Sequence, residues 1–284
     1  MDNEKINLMK NDLKKTKIFG LMIIAVMTIT VFSACTVTGT LNDSINPPDP
    51  SGTKMTITTN KMGLVKIEIE GSGLATINWG DGSQNEEFTI STNTNRTHTF
   101  SNENQRTITI FGEGIIRLTI PDIQATNLNV SENVSLLELN CSSNKMKSLD
   151  VSKNTELIRL DCSDNQLSNL SVTQNLKLNI LFCNDNNLSG LLSTTNNQLL
   201  SFMNCRNNNI TSLNMTNNPT LAILSCEGNQ MGEDALSTLL STLHNNKINI
   251  PGVEKVVNIK DNPGAETCNN KDVARGNGWE VIDH

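Results

Sequence analysis

Tyrosine is absent from the 284 residues, tryptophan occurs twice, and aromatics together make up 3% of the chain. A core with so few rings must be filled by aliphatic side chains and sulfur, which suits stacked Leu, Ile, Val and Cys better than an aromatic-lined pocket. Histidine occurs only at His98, His244 and His284, in a strand-like run, at a helix-like end and at the terminus. No Gly-x-Ser-x-Gly, His-Glu-x-x-His or phosphate-cradling glycine loop is present, and no two carboxylates single themselves out as a glycosidase pair. An enzyme is therefore the third-ranked function, and no catalytic residue is assigned. No Cys-x-x-Cys exists, so the usual zinc spacing is missing; neither a metal nor a cofactor is expected. Net charge is −7 and the pI about 5.0, and Lys and Arg cluster only near the N-terminus, which leaves no electrostatic footprint for nucleic acid.

What is present is a repeat. Cys141, Cys162, Cys183, Cys205 and Cys226 follow one another at steps of 21, 21, 22 and 21 residues, each within L-x-x-[LM]-x-C-x-x-N-x-[LMI]. A fixed period in the low twenties marks a solenoid whose units share a core. Two asparagine columns accompany the cysteines. Asn144, Asn165, Asn186, Asn208 and Asn229 lie three residues after each Cys, while Asn133, Asn154, Asn175, Asn196 and Asn218 form a second set. In a sharply turning coil some backbone groups point inward without strand partners, and a carboxamide can satisfy both kinds. Twin columns therefore imply two turns per coil, after L-x-C and after L-x-V; Leu149-Asp150-Val151 is one L-x-V segment and Leu191-Leu192-Ser193 a degenerate copy. Adjacent coils bring the thiols to the sheet spacing of ~4.8 Å. Their parallel Cβ vectors favour a reduced, buried column over disulfides.

The first 34 residues read as a targeting segment. Lys14, Lys15 and Lys17 precede the apolar run Ile18–Phe32, which is short of the ~20 residues that span a bilayer. Phe32-Ser33-Ala34-Cys35 resembles the lipobox of bacterial lipoproteins, which implies lipid attachment at Cys35; an ordinary secretory peptide is the alternative. Residues 35–53, with Pro47, Pro48 and Pro50, form a flexible tether. Within it Asp43-Ser44-Ile45 resembles the O-glycosylation site of Bacteroides-type bacteria, with Ser44 as acceptor, or is a solvated turn.

From Lys54 to Arg117 the pattern has period two. Met55–Thr58, Leu64–Ile69, Ala75–Trp79, Thr97–Phe100 and Thr107–Ile110 alternate as half-buried strands. Ile77-Asn78-Trp79-Gly80-Asp81-Gly82 with Thr97-His98-Thr99-Phe100 resembles PKD-type domains, which implies a small antiparallel β-sandwich. Asp81 between two glycines suits a tight turn and Trp79 a core plug.

The repeats resemble leucine-rich repeats, and Leu149–Thr155 is similar to those of Bacteroides-type surface lipoproteins and, more distantly, internalins. The fold class is mainly β: a small antiparallel β-sandwich, then a leucine-rich-repeat solenoid with a parallel sheet and an α/β C-terminal cap. The expected divisions are 1–34 signal peptide, 35–53 tether, 54–117 sandwich, 118–232 repeats and 233–284 cap. In the cap, Ala235, Leu236, Leu239, Leu240 and Leu243 have helical spacing.

The positions three and one before each Cys point away from the core, because strand side chains alternate. They read Glu138, Arg159, Ile180, Phe202, Ile223 and Asn140, Asp161, Phe182, Asn204, Ser225. Ile180, Phe182, Phe202 and Ile223 are expected to form an exposed apolar contact for a partner, rimmed by Arg159, Asp161 and Arg206. Together these features indicate a non-catalytic, lipid-anchored, monomeric protein of the bacterial cell envelope (outer membrane, cell surface or periplasmic face). Its expected role is adhesion-type recognition of a protein or glycan. A structural or accessory module of an envelope or polysaccharide-processing assembly is the alternative.

Overall fold

The computed structural model describes residues 53–248 and 253–284. The signal segment, Cys35, the tether and Ser44 lie outside the described residues. Strands β1 (Thr53–Thr59), β2 (Gly63–Gly71), β3 (Leu74–Asn78), β4 (Glu86–Thr89), β5 (Thr94–Phe100), β6 (Arg106–Gly112), β7 (Ile115–Thr119) and β8 (Ala125–Asn129) come first. Each longer strand buries alternate residues, such as Met55 and Ile57, Val65, Ile67 and Ile69, and Ile108 and Ile110. That alternation makes the segments strands, since only a two-residue period puts all of these side chains on one face.

The coils contribute short strands: β9 (Glu138–Asn140), β10 (Arg159–Asp161), β11 (Ile180–Phe182), β13 (Phe202–Asn204) and β15 (Ile223–Ser225). They pair in parallel at one residue position per coil, Glu138 with Arg159, Ile180, Phe202 and Ile223 in turn. β12 (Ser189–Ser193) and β14 (Asn209–Asn214) form a separate two-stranded sheet. The C-terminal part supplies α1 (Glu233–Thr242), β16 (Lys255–Asn258), α2 (Lys271–Gly276) and β17 (Trp279–Ile282).

The solenoid sheet does not stop at the first coil. β9 pairs in parallel with β7, Glu138 opposite Arg117, and β7 pairs with β2 and β2 with β5. The result is one ten-stranded sheet in the order β17-β16-β15-β13-β11-β10-β9-β7-β2-β5. On the other side β1 pairs with β8, Ile57 opposite Leu128. Leu128-Asn129-Val130 occupies in its coil the place that Leu149-Asp150-Val151 takes in the next. Both faces of the first coil thus continue into N-terminal strands, and the buried apolar side chains from Met55 to Val281 form one cluster. Residues 117 and 118 lie inside β7, whose Leu118 is buried in that shared core.

All five repeat cysteines are 0% exposed and unbridged. The Cys141 N–H donates to the Asp161 carbonyl and the Cys162 N–H to the Phe182 carbonyl, so consecutive cysteines are neighbours across adjacent coils. Two residues after each Cys the chain turns through a left-handed conformation, at Ser143, Asp164, Asp185, Asn207 and Gly228. Only short polar residues or glycine adopt that geometry readily.

The Cys-linked asparagine column works as its chemistry requires. Asn165 Nδ2 donates to the carbonyls of Cys141 (3.0 Å) and Cys162 (3.2 Å), and its Oδ1 accepts the Met146 N–H (3.0 Å). Asn186, Asn208 and Asn229 repeat the pattern one coil further on each time. Asn262 extends it: Nδ2 reaches Cys226 and Ile259, both at 2.9 Å, and Oδ1 accepts Met231 N–H. The first turn of the cap is therefore a further coil, with Ile259 in the cysteine position.

The second column needs a correction. Its fourth member is Asn197, 0% exposed, with Nδ2 donating to Val172 (3.0 Å) and Asn175 (2.8 Å) carbonyls. Asn196 is exposed and donates to Thr173. The extra residue of the 22-residue coil is taken up at Ser189–Leu191, where Gly190 has φ +73° and Leu191 points to solvent. Everything after it shifts by one, so Leu192-Ser193-Thr194 is the L-x-V copy.

Candidate functional site

Alternation on β10, β11, β13 and β15 puts Arg159, Asp161, Ile180, Phe182, Phe202 and Ile223 on the face away from the leucine and methionine side chains of the core. Two rows result. One runs Glu70, Arg117, Glu138, Arg159, Ile180, Phe202, Ile223, Val256, Glu280; the other runs Glu68, Thr119, Asn140, Asp161, Phe182, Asn204, Ser225, Asn258. The charged half meets the apolar half at Arg159. Its guanidinium lies 4.9 Å above the Phe182 ring, and Phe182 packs on Phe202 with centroids 4.9 Å apart.

The expected uniform exposure of the apolar residues does not hold. Phe182 and Ile223 are half-buried, but Ile180 and Phe202 are 5% and 4% exposed although neither belongs to the main core cluster. Register removes part of their surface from water: Ile180 has Arg159 and Phe202 on its two sides, and Phe202 has Ile180 and Ile223. Arg206 is also placed differently from the others. It sits in the turn after Cys205 and reaches Asp185 at 3.4 Å. Burial alone would raise the Asp185 carboxyl, but hydrogen bonds from Asn207 and Asn184 together with Arg206 hold it below its ordinary value. Asp164 is exposed, yet partial desolvation and the neighbouring Asp185 charge push its carboxyl up.

Arg117 and Glu70 lie one and two strands before Glu138 and belong to the same row. Arg117 bonds Glu70 at 2.7 Å and Glu138 at 2.8 Å. Burial works against its charge, yet the bonds to Glu138 and Glu70 raise its pKa. Extending the column back one period from Glu138 would have found Arg117; Glu70 carries no such signal, because it arrives by antiparallel pairing.

Two further clusters bracket the sheet. Near its N-terminal end, Trp79 is fully buried, its ring stacked 4.9 Å from that of His98, and His98 Nε2 lies 2.7 Å from Asp81 Oδ2. Hydrogen bonds from Ser83, and then from His98, hold the Asp81 carboxyl well below the usual carboxylate range. The Trp79, Asp81, His98 and Phe100 singled out in the sequence therefore converge as a packing unit. At the C-terminal cap, His244 Nε2–H donates to the Leu221 carbonyl (2.7 Å) and Nδ1 accepts the Asn246 N–H (3.1 Å). Trp279 Nε1 donates to the His244 carbonyl, and Lys255 Nζ bonds the carbonyls of His244 and Asn277.

Burial pushes all five column thiols far above their ordinary value. They behave as small apolar side chains, not nucleophiles or metal ligands. Among the described residues no cluster of three His, Cys, Asp or Glu side chains could hold a metal ion, and no helix is long and apolar enough to cross a membrane.

In-register coils, a parallel sheet and inward asparagines make this a leucine-rich-repeat solenoid. No family model matches the chain, and no curated protein matches it. Among solved structures, the functional domain of InlJ from Listeria monocytogenes, described as including a cysteine ladder, is 33% identical over 49% of this chain and 28% of its own, with TM-score 0.42. Internalin InlF from Listeria monocytogenes is 18% identical over 58% of this chain and 53% of its own, with TM-score 0.42. Internalin C2 of the same organism is 18% identical over 60% and 81%, with TM-score 0.41. The chain thus spans less than two thirds of the first two, and the repeat class rests on the geometry of its own coils.

Proposed function

We propose that this chain is a non-catalytic recognition protein of the bacterial cell envelope, anchored by lipid on Cys35 and presenting the outer face of its ten-stranded sheet to a protein or glycan. The observation that carries this is the contrast between constancy inside and variety outside. Inward positions repeat Leu, Cys and Asn coil after coil, whereas the outward row reads Glu138, Arg159, Ile180, Phe202, Ile223. Packing dictates the first set, while the second is free to be shaped by a ligand. The contact centres on Arg159, whose guanidinium lies over the Phe182 ring, and extends to the half-buried Ile223 two strands further on; arginine is among the residue types enriched at binding hot spots. Asp161 forms the polar border, and Arg206 reaches out from the adjoining turn.

The test is a glycan array and a pull-down from envelope and host-surface fractions, each run with the unaltered protein, Arg159→Ala and Phe182→Ser. A ligand held by the parent and weakened at least about tenfold by each variant, with unchanged circular dichroism, supports the reading; tenfold corresponds to ~1.4 kcal/mol. Ligands bound equally by all three, or turnover of any polysaccharide by the purified protein, contradict it. Protease shaving of intact cells tests placement on the outer side.

A further inference from the structure

The chain has six arginines, and five of them direct the guanidinium to an acceptor within the fold. Arg96 and Arg106 donate to backbone carbonyls, Arg117 to Glu70 and Glu138, Arg206 to Asp185 and Arg275 to Asp272. Arg159 is the exception. It is half-buried, yet among the described residues its guanidinium has the Phe182 ring beneath it and no hydrogen-bond acceptor. A guanidinium carries five N–H donors in a rigid fork and stays charged at physiological pH. The carboxylates beside it are engaged elsewhere. Glu138, its neighbour on β9, bonds Arg117 at 2.8 Å, and Asp161 Oδ1 accepts the hydroxyl and the N–H of Ser163 (2.7 and 3.2 Å).

Arg159 adjoins apolar side chains in one direction only. Its row continues through Ile180, Phe202, Ile223 and Val256, of which Ile223 and Val256 are half-buried and lie side by side on β15 and β16. Three strand steps of ~4.8 Å put Ile223 about 14 Å from Arg159. A neutral sugar stacks its apolar face on an open aromatic ring, and the two outward rows offer none. Phe182 and Phe202 are the only rings on them; Phe202 is 4% exposed, and Phe182 lies under the Arg159 guanidinium.

Taking the outer sheet face as the binding surface, on which this rests, we propose that its partner is a protein rather than a glycan. That protein sets an Asp or Glu carboxylate on the Arg159 fork and a Leu, Ile or Val side chain on Ile223 and Val256. The carboxylate supplies the acceptors that Arg159 lacks, in the bidentate geometry a guanidinium favours. In an extended segment alternate side chains share one face at ~3.3 Å per residue. An aliphatic residue four positions from the acid therefore lies about 13 Å from it, which matches the separation of Arg159 and Ile223. Glu138 and Asp161 flank Arg159 and repel a second acid, so they fix which position of the partner carries the charge.

Panning the purified protein against a phage-displayed library of random peptides tests this. Recovered peptides are titrated by fluorescence anisotropy against the parent, Arg159→Gln, Arg159→Lys and Ile223→Ser, each checked by circular dichroism. The expected peptides carry Asp or Glu four residues from Leu, Ile or Val. Arg159→Gln should weaken them at least about tenfold and Arg159→Lys by less, so the lysine variant carries the comparison if the glutamine variant does not fold. Changing the peptide's acid to its amide should weaken binding to the parent by a similar factor and leave binding to Arg159→Gln unchanged. A merely structural arginine would not give that coupling. Peptides weakened by Ile223→Ser but indifferent to Arg159→Gln overturn the carboxylate and leave the face as the binding surface, as does a neutral glycan held by the parent and lost in Phe182→Ser. Peptides indifferent to every variant overturn the face as well, and a library that yields no binder overturns the partner named here.

Discussion

Asn154, Asn175 and Asn197 each donate twice to the preceding coil, yet their Oδ1 atoms are buried with no hydrogen-bond partner. Asn218 escapes this, because the Thr194 hydroxyl lies 3.1 Å from its Oδ1. Thr194 stands where the other coils have Val130, Val151 and Val172, so the chain contains its own solution at one position of four. A buried unmet acceptor costs roughly 1–3 kcal/mol, whereas Val→Thr in an apolar core normally destabilises by leaving a hydroxyl without a partner. Val151→Thr, set against Asn175, is therefore expected to leave the urea midpoint unchanged or higher. Val65→Thr, in the N-terminal core with no such acceptor, should lower it. Equal losses in the two variants would show that the unmet oxygens are not what sets the cost. The cysteine-linked columns were legible from spacing alone. The choice between Asn196 and Asn197 was not, because spacing cannot say on which side of two adjacent asparagines a bulge at Gly190 falls.

At the scale of elements, the end of the solenoid is where sequence periodicity gave out. Asn262 was hidden because 33 residues separate Cys226 from Ile259 and isoleucine replaces the cysteine; helix α1 fills the longer crossing. The start was hidden for a different reason. β7 lacks the cysteine and its linked asparagine, but Asn133 continues the second column one period before Asn154 and the repeats were expected from residue 118; only its antiparallel pairing with β2 is visible solely in space. The bridge of Arg117 to Glu70 and Glu138 spans that junction. Arg117→Ala leaves two half-buried carboxylates side by side and should cost roughly 1–3 kcal/mol in denaturant unfolding, and Arg117→Lys should recover only part of it, since an ammonium lacks the guanidinium fork. A loss below about 0.5 kcal/mol would place the bridge with ordinary surface pairs.

The cap element responds to pH through His244. Burial, with a lesser contribution from Lys255, lowers its pKa against the hydrogen bond to Leu221. The neutral ring is the form that can both donate to Leu221 and accept from Asn246. The unfolded chain therefore binds the proton more readily, so this contribution is complete above the ordinary imidazole value and lost as pH falls through the lower folded one. His244→Asn should flatten the decline in urea midpoint between about pH 7 and 5. An unchanged slope would remove His244 from the account.

At the largest scale the described residues form a single stack in which N-terminal strands, coils and cap share one core, and one ten-stranded sheet takes strands from all three. The mainly β solenoid with its parallel sheet was legible because inward positions are constrained by packing and repeat; the ligand was not, because outward positions are unconstrained by it and a single sequence does not display what they contact. Alternation of strand side chains does put Arg159, Asp161, Ile180, Phe182, Phe202 and Ile223 on one sheet face. It could not foresee how far in-register neighbours bury Ile180 and Phe202. The fold depends above all on coils lying in register with their carboxamides turned inward. Equilibrium urea unfolding of Asn197→Ala beside Asn196→Ala tests that most directly. The Asn197 variant should lose roughly 2–5 kcal/mol, through two buried carbonyls left without donors, and the Asn196 variant no more than about 0.5 kcal/mol. Equal losses, or the larger loss at Asn196, would contradict the stacking described.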